Sequence, residues 1–133
     1  MKRIGDDRCT VRDYIEIAIT IVITYIIITS GVRITMVIGQ SMLPTLSEYS
    51  IHILVPDPDP DVGDIVAIAG DNYYVTTIKR IVAGPGDTVE HWGEPLTLGD
   101  NEYYVMGDNR DNSRDSRVFG PIDGADIVGR LLI

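Results

Sequence analysis

Cysteine occurs once in this 133-residue chain, at Cys9, and histidine twice, at His52 and His91. Beyond Cys9 there is therefore neither a disulfide nor a thiolate, and no zinc site can be assembled from cysteine and histidine. No metal or cofactor is implied. Basic side chains are scarce too: 11 against 20 acidic ones give a net charge of −9. Nucleic acid, which requires basic patches, is excluded as a partner. Lysine is the rarest of the charged types, with only Lys2 and Lys79. Neither an internal repeat nor a second helix-period segment beyond the first thirty or so residues is present. One domain fits this length.

What the chain does have is a long apolar run. From Tyr14 to Ser30 it reads YIEIAITIVITYIIITS, interrupted only by Glu16. About 17 residues at roughly 1.5 Å each reach about 26 Å, close to the ~30 Å bilayer core. The run is too long and too unalternating for a strand, so it predicts one transmembrane helix over residues 14–32. Arg12, one turn from Glu16, can pair with it at the interface. Lys2, Arg3, Arg8 and Arg12 precede the run and Arg33 alone follows closely. That bias predicts a cytosolic segment 1–13, a single pass through the plasma membrane, and residues 33–133 outside. A cleaved signal peptide is the rival reading. The length of the run, and Ser41 lying about ten residues beyond it, favour retention.

Acidity is concentrated in the outer part. Four basic and four acidic side chains precede Arg33, while seven basic and sixteen acidic ones follow from it onward. This part reads as short β-rich runs separated by turn residues: Ile51 to Val55, Ile65 to Ala69, Tyr73 to Ala83, Thr88 to His91, Glu102 to Met106 and Ile127 to Ile133. The expected fold is mainly β, a small partly closed barrel or coiled antiparallel sheet preceded by the helix. The run from Pro56 to Asp61, alternating proline and aspartate, predicts a solvated extended loop. Trp92, Tyr73, Tyr74, Tyr103 and Tyr104 are expected as half-buried strand residues.

Lys79 stands alone in a region that otherwise uses arginine for positive charge. An ammonium can be driven neutral by burial, whereas a guanidinium stays charged. A neutral amine could activate Ser41, which lies in Gly39-Gln40-Ser41-Met42-Leu43-Pro44-Thr45. Free lysine titrates near about 10.4, and a catalytic lysine works at about 7–8. The difference is roughly 4 kcal/mol of disfavoured charge, which apolar walls supply. Ile78 and Ile81 beside Lys79, and Met42 and Leu43 beside Ser41, are such walls. The Ser41 backbone N–H is one donor for a developing oxyanion.

Three further stretches complete an ordered set. These are Gly63-Asp64-Ile65-Val66, then Lys79 through Asp87 (KRIVAGPGD), then Gly107 through Gly120 (GDNRDNSRDSRVFG). With the serine motif, these resemble the boxes of type I signal peptidases in the same order, over most of the chain from Tyr14 on. The resemblance implies a membrane-bound serine endopeptidase that removes N-terminal signal peptides from exported preproteins. Ser41 matches the nucleophile and Lys79 the general base, as in the bacterial form. Ser113 matches a serine that supports the lysine nitrogen. Arg80, Asp108, Asp115 and Arg117 are read as ion pairs that pin the last motif against the lysine strand. Val37, Met42, Leu46 and Ile78 match the lining of shallow pockets for alanine-sized side chains, one and three residues before the cut. Preproteins and the lipid bilayer are the implied partners, and an accessory subunit is left open.

Two departures accompany the resemblance. Some members supply a second oxyanion donor from a serine two residues before the nucleophile, where this chain has Gly39. Only about twenty residues separate Asp87 from Gly107, where larger members insert a second β-rich domain, so this chain resembles the minimal core. Two rival classes remain. A cytosolic self-cleaving serine–lysine protease is one, which a membrane anchor and an outside location would discard. An inactive membrane-tethered module that grips exported chains is left open by Gly39.

Overall fold

The structure, a computed structural model, describes residues 10–70 and 76–133. Gly70-Asp71-Asn72 reads in the sequence as a turn; it and the strand start at Tyr73 and Tyr74 fall partly or wholly outside these residues, as do Lys2, Arg3, Arg8 and Cys9. The chain divides into two compact units, Met1–Val32 and Arg33–Ile133. In the first, helix α1 spans Val11–Thr29. Thr10 caps it reciprocally with Asp13, whose carboxylate accepts the Thr10 N–H at 2.6 Å. Arg12 pairs with Glu16 at 2.9 Å, as expected for neighbours one turn apart.

The apolar run therefore folds as a helix, but the helix begins early enough to include three charged residues. Arg12, Asp13 and Glu16 lie in its first turns, which leaves 17–29 as the uncharged part. At ~1.5 Å per residue that part is only about 20 Å long, short of a ~30 Å core. Among the described residues no helix is long and apolar enough to cross a membrane. This departs from the transmembrane helix expected over 14–32.

The second unit is built on an antiparallel sheet. Its strands are β1 (Arg33–Met36), β2 (Ile51–Val55), β3 (Ile65–Ala69), β4 (Thr76–Ala83), β7 (Glu102–Met106), β8 (Ile122–Asp123) and β9 (Ile127–Leu132), in the order β1-β2-β9-β3-β4-β7-β8. β5 (Thr88–His91) and β6 (Glu94–Thr97) form a separate two-stranded ribbon. The sheet is open, not a closed barrel. β1 pairs with β2 and β8 with β7, and the two end strands do not meet among the described residues. The mainly β antiparallel class stands; closure does not.

β3 explains why the sheet is covered on both faces. Its sequence IVAIA is continuously apolar, as suits a strand buried on both sides. Ile65 and Ala67 join Val37, Met42, Leu46, Leu54 and Leu131 on one face. Val66 and Ile68 join Ile81, Tyr103 and Val105 on the other.

Several local expectations change. Strands β1, β6 and β8 do not stand out in the sequence: β1 follows close after the apolar run, Pro95 interrupts β6, and β8 has only two residues. Trp92 is not a half-buried strand residue. It occupies the turn between β5 and β6 at φ 54° with Gly93 at φ 85°, and it is 79% exposed. Two residues of positive φ match the twist of a tight hairpin. Tyr103 and Tyr104 are buried rather than half-buried. The Pro-Asp loop is anchored as well as solvated: Asp57 accepts from Arg130 Nε at 2.9 Å.

Candidate active site

Ser41 is presented by a turn that is plugged into the core from below. Gly39 takes φ 96°, a left-handed conformation that favours glycine, and turns the chain away from the extended segment that continues β1. The Leu43 N–H donates to Gln40 O at 3.2 Å and the Leu46 N–H to Met42 O at 2.9 Å. Met42 and Leu46, four residues apart, are both buried in the cluster beneath. Burial of these two side chains leaves Ser41 at the surface of the turn. No hydrogen bond from the Ser41 N–H is found among the described residues.

Lys79 lies in β4, opposite Val66 of β3, and is 3% exposed. β4 outruns its other neighbour, because its ladder with β7 begins at Arg80↔Met106. At Lys79 the place beside β4 is taken by the serine turn. Lys79 Nζ lies 2.9 Å from Ser41 Oγ and donates to Ile78 O at 3.1 Å. Burial pushes its pKa below the ordinary lysine value, against a weaker opposing pull from the charge of Asp115.

The last motif clamps this arrangement. The Asn109 N–H donates to Ser41 O at 2.9 Å, and Asn109 Nδ2 donates to Gln40 O at 3.0 Å. A sequence reading sees only a turn former at Asn109, since the contact partner lies in a distant loop. Gly107 passes so close that a methyl there would collide with Ser113 Oγ and come within 2.6 Å of Ser41 O. The Gly107 N–H donates to Asp115 Oδ2 at 2.9 Å. The buried Ser116 Oγ accepts the Val105 N–H at 2.9 Å, holding the one-turn helix α2 (Ser116–Phe119) to β7.

Arg80, Asp108, Asp115 and Arg117 form two pairs, not one network. Arg80 Nε and Nη2 grip Asp108 at 2.8 and 2.7 Å, and Arg80 Nη1 donates to Gly63 O at 2.6 Å. This pair does join the last motif to the lysine strand. The guanidinium hydrogen bonds hold the Asp108 carboxyl below its usual range, with burial opposing them. Asp115 and Arg117 pair within the motif instead, at 2.9 Å. Burial alone would raise the Asp115 pKa, but Arg117 and the Gly107 N–H outweigh it and hold it at about 2. Arg117 Nη2 also donates to Arg110 O at 2.6 Å, closing the loop on itself.

Ser113 does not take the place expected of it. Among the described residues its buried Oγ has no hydrogen-bond partner, and it sits over Gly107 rather than bonding Lys79 Nζ. The extended backbone at Ser113 carries the hydroxyl toward that glycine.

A cleft of about 440 Å³ opens beside the Ser41–Lys79 contact, lined by residues 35–38, Met42 and residues 76–78. Val37, Met42 and Ile78 contribute to it as expected. Leu46 does not: it lies in the core below. Among the described residues β1 pairs only with β2, so the β1 side of the cleft is a sheet edge. On the facing side, residues 76–79 pair with β3 but not with β7. Two unpaired backbone edges thus border one cleft next to a hydroxyl and a buried amine.

Comparison with known proteins places the chain in context. The family described as "Signal peptidase, peptidase S26" matches residues 11–102 and 92–133. A mitochondrial ATP-independent inner membrane protease subunit 1b from Arabidopsis thaliana is 35% identical over 108 residues, covering 71% of this chain and 64% of that protein. A probable signal peptidase I-1 from Synechocystis is 32% identical over 135 residues, covering 71% and 66% respectively. The match thus spans just under two thirds of the length of these relatives. A solved signal peptidase I from Enterococcus faecalis resembles the chain at 25% identity and a TM-score of 0.47, over 56% of this chain and 97% of that one.

Proposed function

The chain belongs to the signal peptidase family S26, and from that premise we propose that it is a serine endopeptidase that cuts signal peptides from exported preproteins. Ser41 is the nucleophile and Lys79 the general base. The observation that carries this reading is the 2.9 Å approach of a buried amine to the Ser41 hydroxyl at the edge of a cleft. An inactive binding module would have no use for that contact.

The chemistry follows from the geometry. With one N–H committed to Ile78 O, the neutral amine keeps a lone pair that can accept the Ser41 proton. Oγ then attacks the scissile carbonyl carbon, and the Ser41 N–H donates to the resulting oxyanion. Collapse of the tetrahedral intermediate breaks the C–N bond, and the Lys79 ammonium protonates the leaving amine. The same amine next takes a proton from water, whose oxygen attacks the acyl ester and returns Ser41 to its hydroxyl form. Asp115, ionised through its pairing with Arg117, orients the surrounding loop and stays out of proton transfer. Asp108 and Arg80 do the same for the strand carrying Lys79.

Substrate binds by strand addition. An extended peptide laid in the cleft can pair with both unpaired edges, residues 35–38 and 76–79, which gives main-chain affinity without sequence selection. The apolar floor of Val37, Met42 and Ile78 receives a small side chain next to the cut. Helix α1, whose apolar side chains are all exposed, attaches the enzyme to a bilayer, with residues 17–29 in the apolar layer and Arg12, Asp13 and Glu16 at its interface. Confinement to that surface raises the effective concentration of a membrane-borne preprotein.

The test is incubation of the detergent-solubilised chain with a preprotein, wild type beside Ser41→Ala, and mass analysis of the products. A cut after the signal peptide by wild type only is expected. Equal cleavage by Ser41→Ala would remove the proposed nucleophile.

A further inference from the structure

The two walls of the cleft carry the same pattern. Residues 35–38 and 76–79 each run toward the catalytic pair, the first into the Ser41 turn and the second into Lys79 itself. In an extended chain, residues two apart share a face and lie roughly 6.6 Å apart. Val37 and Ile78 pack against one apolar cluster and so face the same side. Two residues before each, on that same face, stands a threonine: Thr35 before Val37 and Thr76 before Ile78. Both threonines line the cleft, Thr35 partly buried and Thr76 exposed at its mouth.

An extended substrate has the same two-residue period. The side chain one residue before the cut meets Val37, Met42 and Ile78, and the side chain three residues before it lies one period farther from Ser41. We propose that Thr35 and Thr76 form a polar subsite for the residue three before the cut, which selects small hydroxyl side chains over apolar ones of the same shape. This rests on the proposed function and adds to it the substrate class the site prefers. The selection is a difference between subsites: the near one is lined by Val37, Met42 and Ile78, the far one carries two threonines. A serine or threonine there gains a hydrogen bond, whereas alanine or valine leaves the cleft hydroxyls facing carbon.

The test uses the full chain in detergent with synthetic peptides that differ only at the residue three before the cut. Serine is compared with alanine, and threonine with valine, so that each pair differs in the hydroxyl. In wild type the hydroxyl member should have a kcat/KM higher by roughly three- to tenfold, the size of one neutral hydrogen bond. Thr35→Val with Thr76→Val should bring both ratios to about one or below. Thr35→Ser with Thr76→Ser should keep the wild-type ratios, which covers a valine variant that fails to fold. Wild-type ratios of one or less, or ratios unmoved in the valine variant, overturn the subsite. Failure of wild type to cut any peptide overturns the proposed function, and the subsite with it.

Discussion

The backbone N–H of Asn109 donates to the carbonyl of Ser41 at 2.9 Å, so the last motif grips the serine turn directly. The Asn109 side chain adds a second hold on the same turn, through Gln40 O at 3.0 Å. Asn109→Ala removes the second hold and keeps the first. The expected result is a fall in kcat of roughly fivefold with KM unchanged, because about 1 kcal/mol of positioning is lost without touching the cleft. Steady-state kinetics on a preprotein would check this. A rise in KM at constant kcat would show that Asn109 serves binding, not the placement of Ser41.

Lys79→Arg separates charge from basicity. The guanidinium keeps a positive charge near Ser41 but cannot lose its proton. Activity should drop by roughly a thousandfold or more in Lys79→Arg and equally in Lys79→Met, the range for a lost general base. Circular dichroism should report an intact sheet in the methionine variant, whose side chain suits the apolar surroundings. Substantial turnover by the arginine variant would mean that charge alone suffices.

The pH dependence has a definite sign. Burial lowers the Lys79 pKa in the folded chain, so the cleavage rate should rise with pH and level off below the ordinary lysine value of 10.5. A rate that climbs only near that value would contradict the role of burial. The same shift affects stability. Between the lowered folded pKa and the ordinary one, the unfolded chain binds more protons, so stability rises with pH across that window. Urea midpoints measured across it should rise for wild type relative to Lys79→Met.

Asp115 gives a dependence of the same sign, but in the acid range. Its pKa of about 2 lies below the ordinary carboxylate value of 3.8, so the stability it supplies is present above 3.8 and is lost as pH falls through about 2. Because the side chain is fully buried, the full difference applies, and Asp115→Asn should cost about 2 kcal/mol at neutral pH. Urea unfolding of the two proteins should converge as the buffer is acidified toward pH 2. A gap that persists there would trace the loss to packing and not to the ionised carboxylate.

Much of this was legible before any fold was known. The apolar run specified a helix, and the alternating or continuous apolar segments specified β2, β3, β5, β7 and β9, because burial of a strand face or a helix surface leaves a periodic trace. The choice of lysine at position 79, where every other cation beyond the first helix is arginine, pointed to chemistry that needs a neutral amine. β1, β6 and β8 appear only in the structure, because a strand close behind the apolar run, one holding Pro95 or one of two residues leaves no such trace. The first turns of α1 also escaped, since Thr10 and Asp13 start the helix ahead of the apolar run.

Tertiary structure decided what lies next to what. Sequence order says that Ser41 and Lys79 share a chain; their 2.9 Å approach depends on β7 ending its ladder opposite Arg80, so that the serine turn can sit beside β4. The unpaired edge of β4 arises from the same mismatch in strand length, and that of β1 from its place at the end of the sheet. Leu46 leaving the cleft for the core and Asn109 reaching Gln40 are contacts between residues far apart in the chain. Local periodicity carries information about which face is buried. Which edges stay unpaired, and which hydroxyl or amine they expose, is set only when all the ladders have formed.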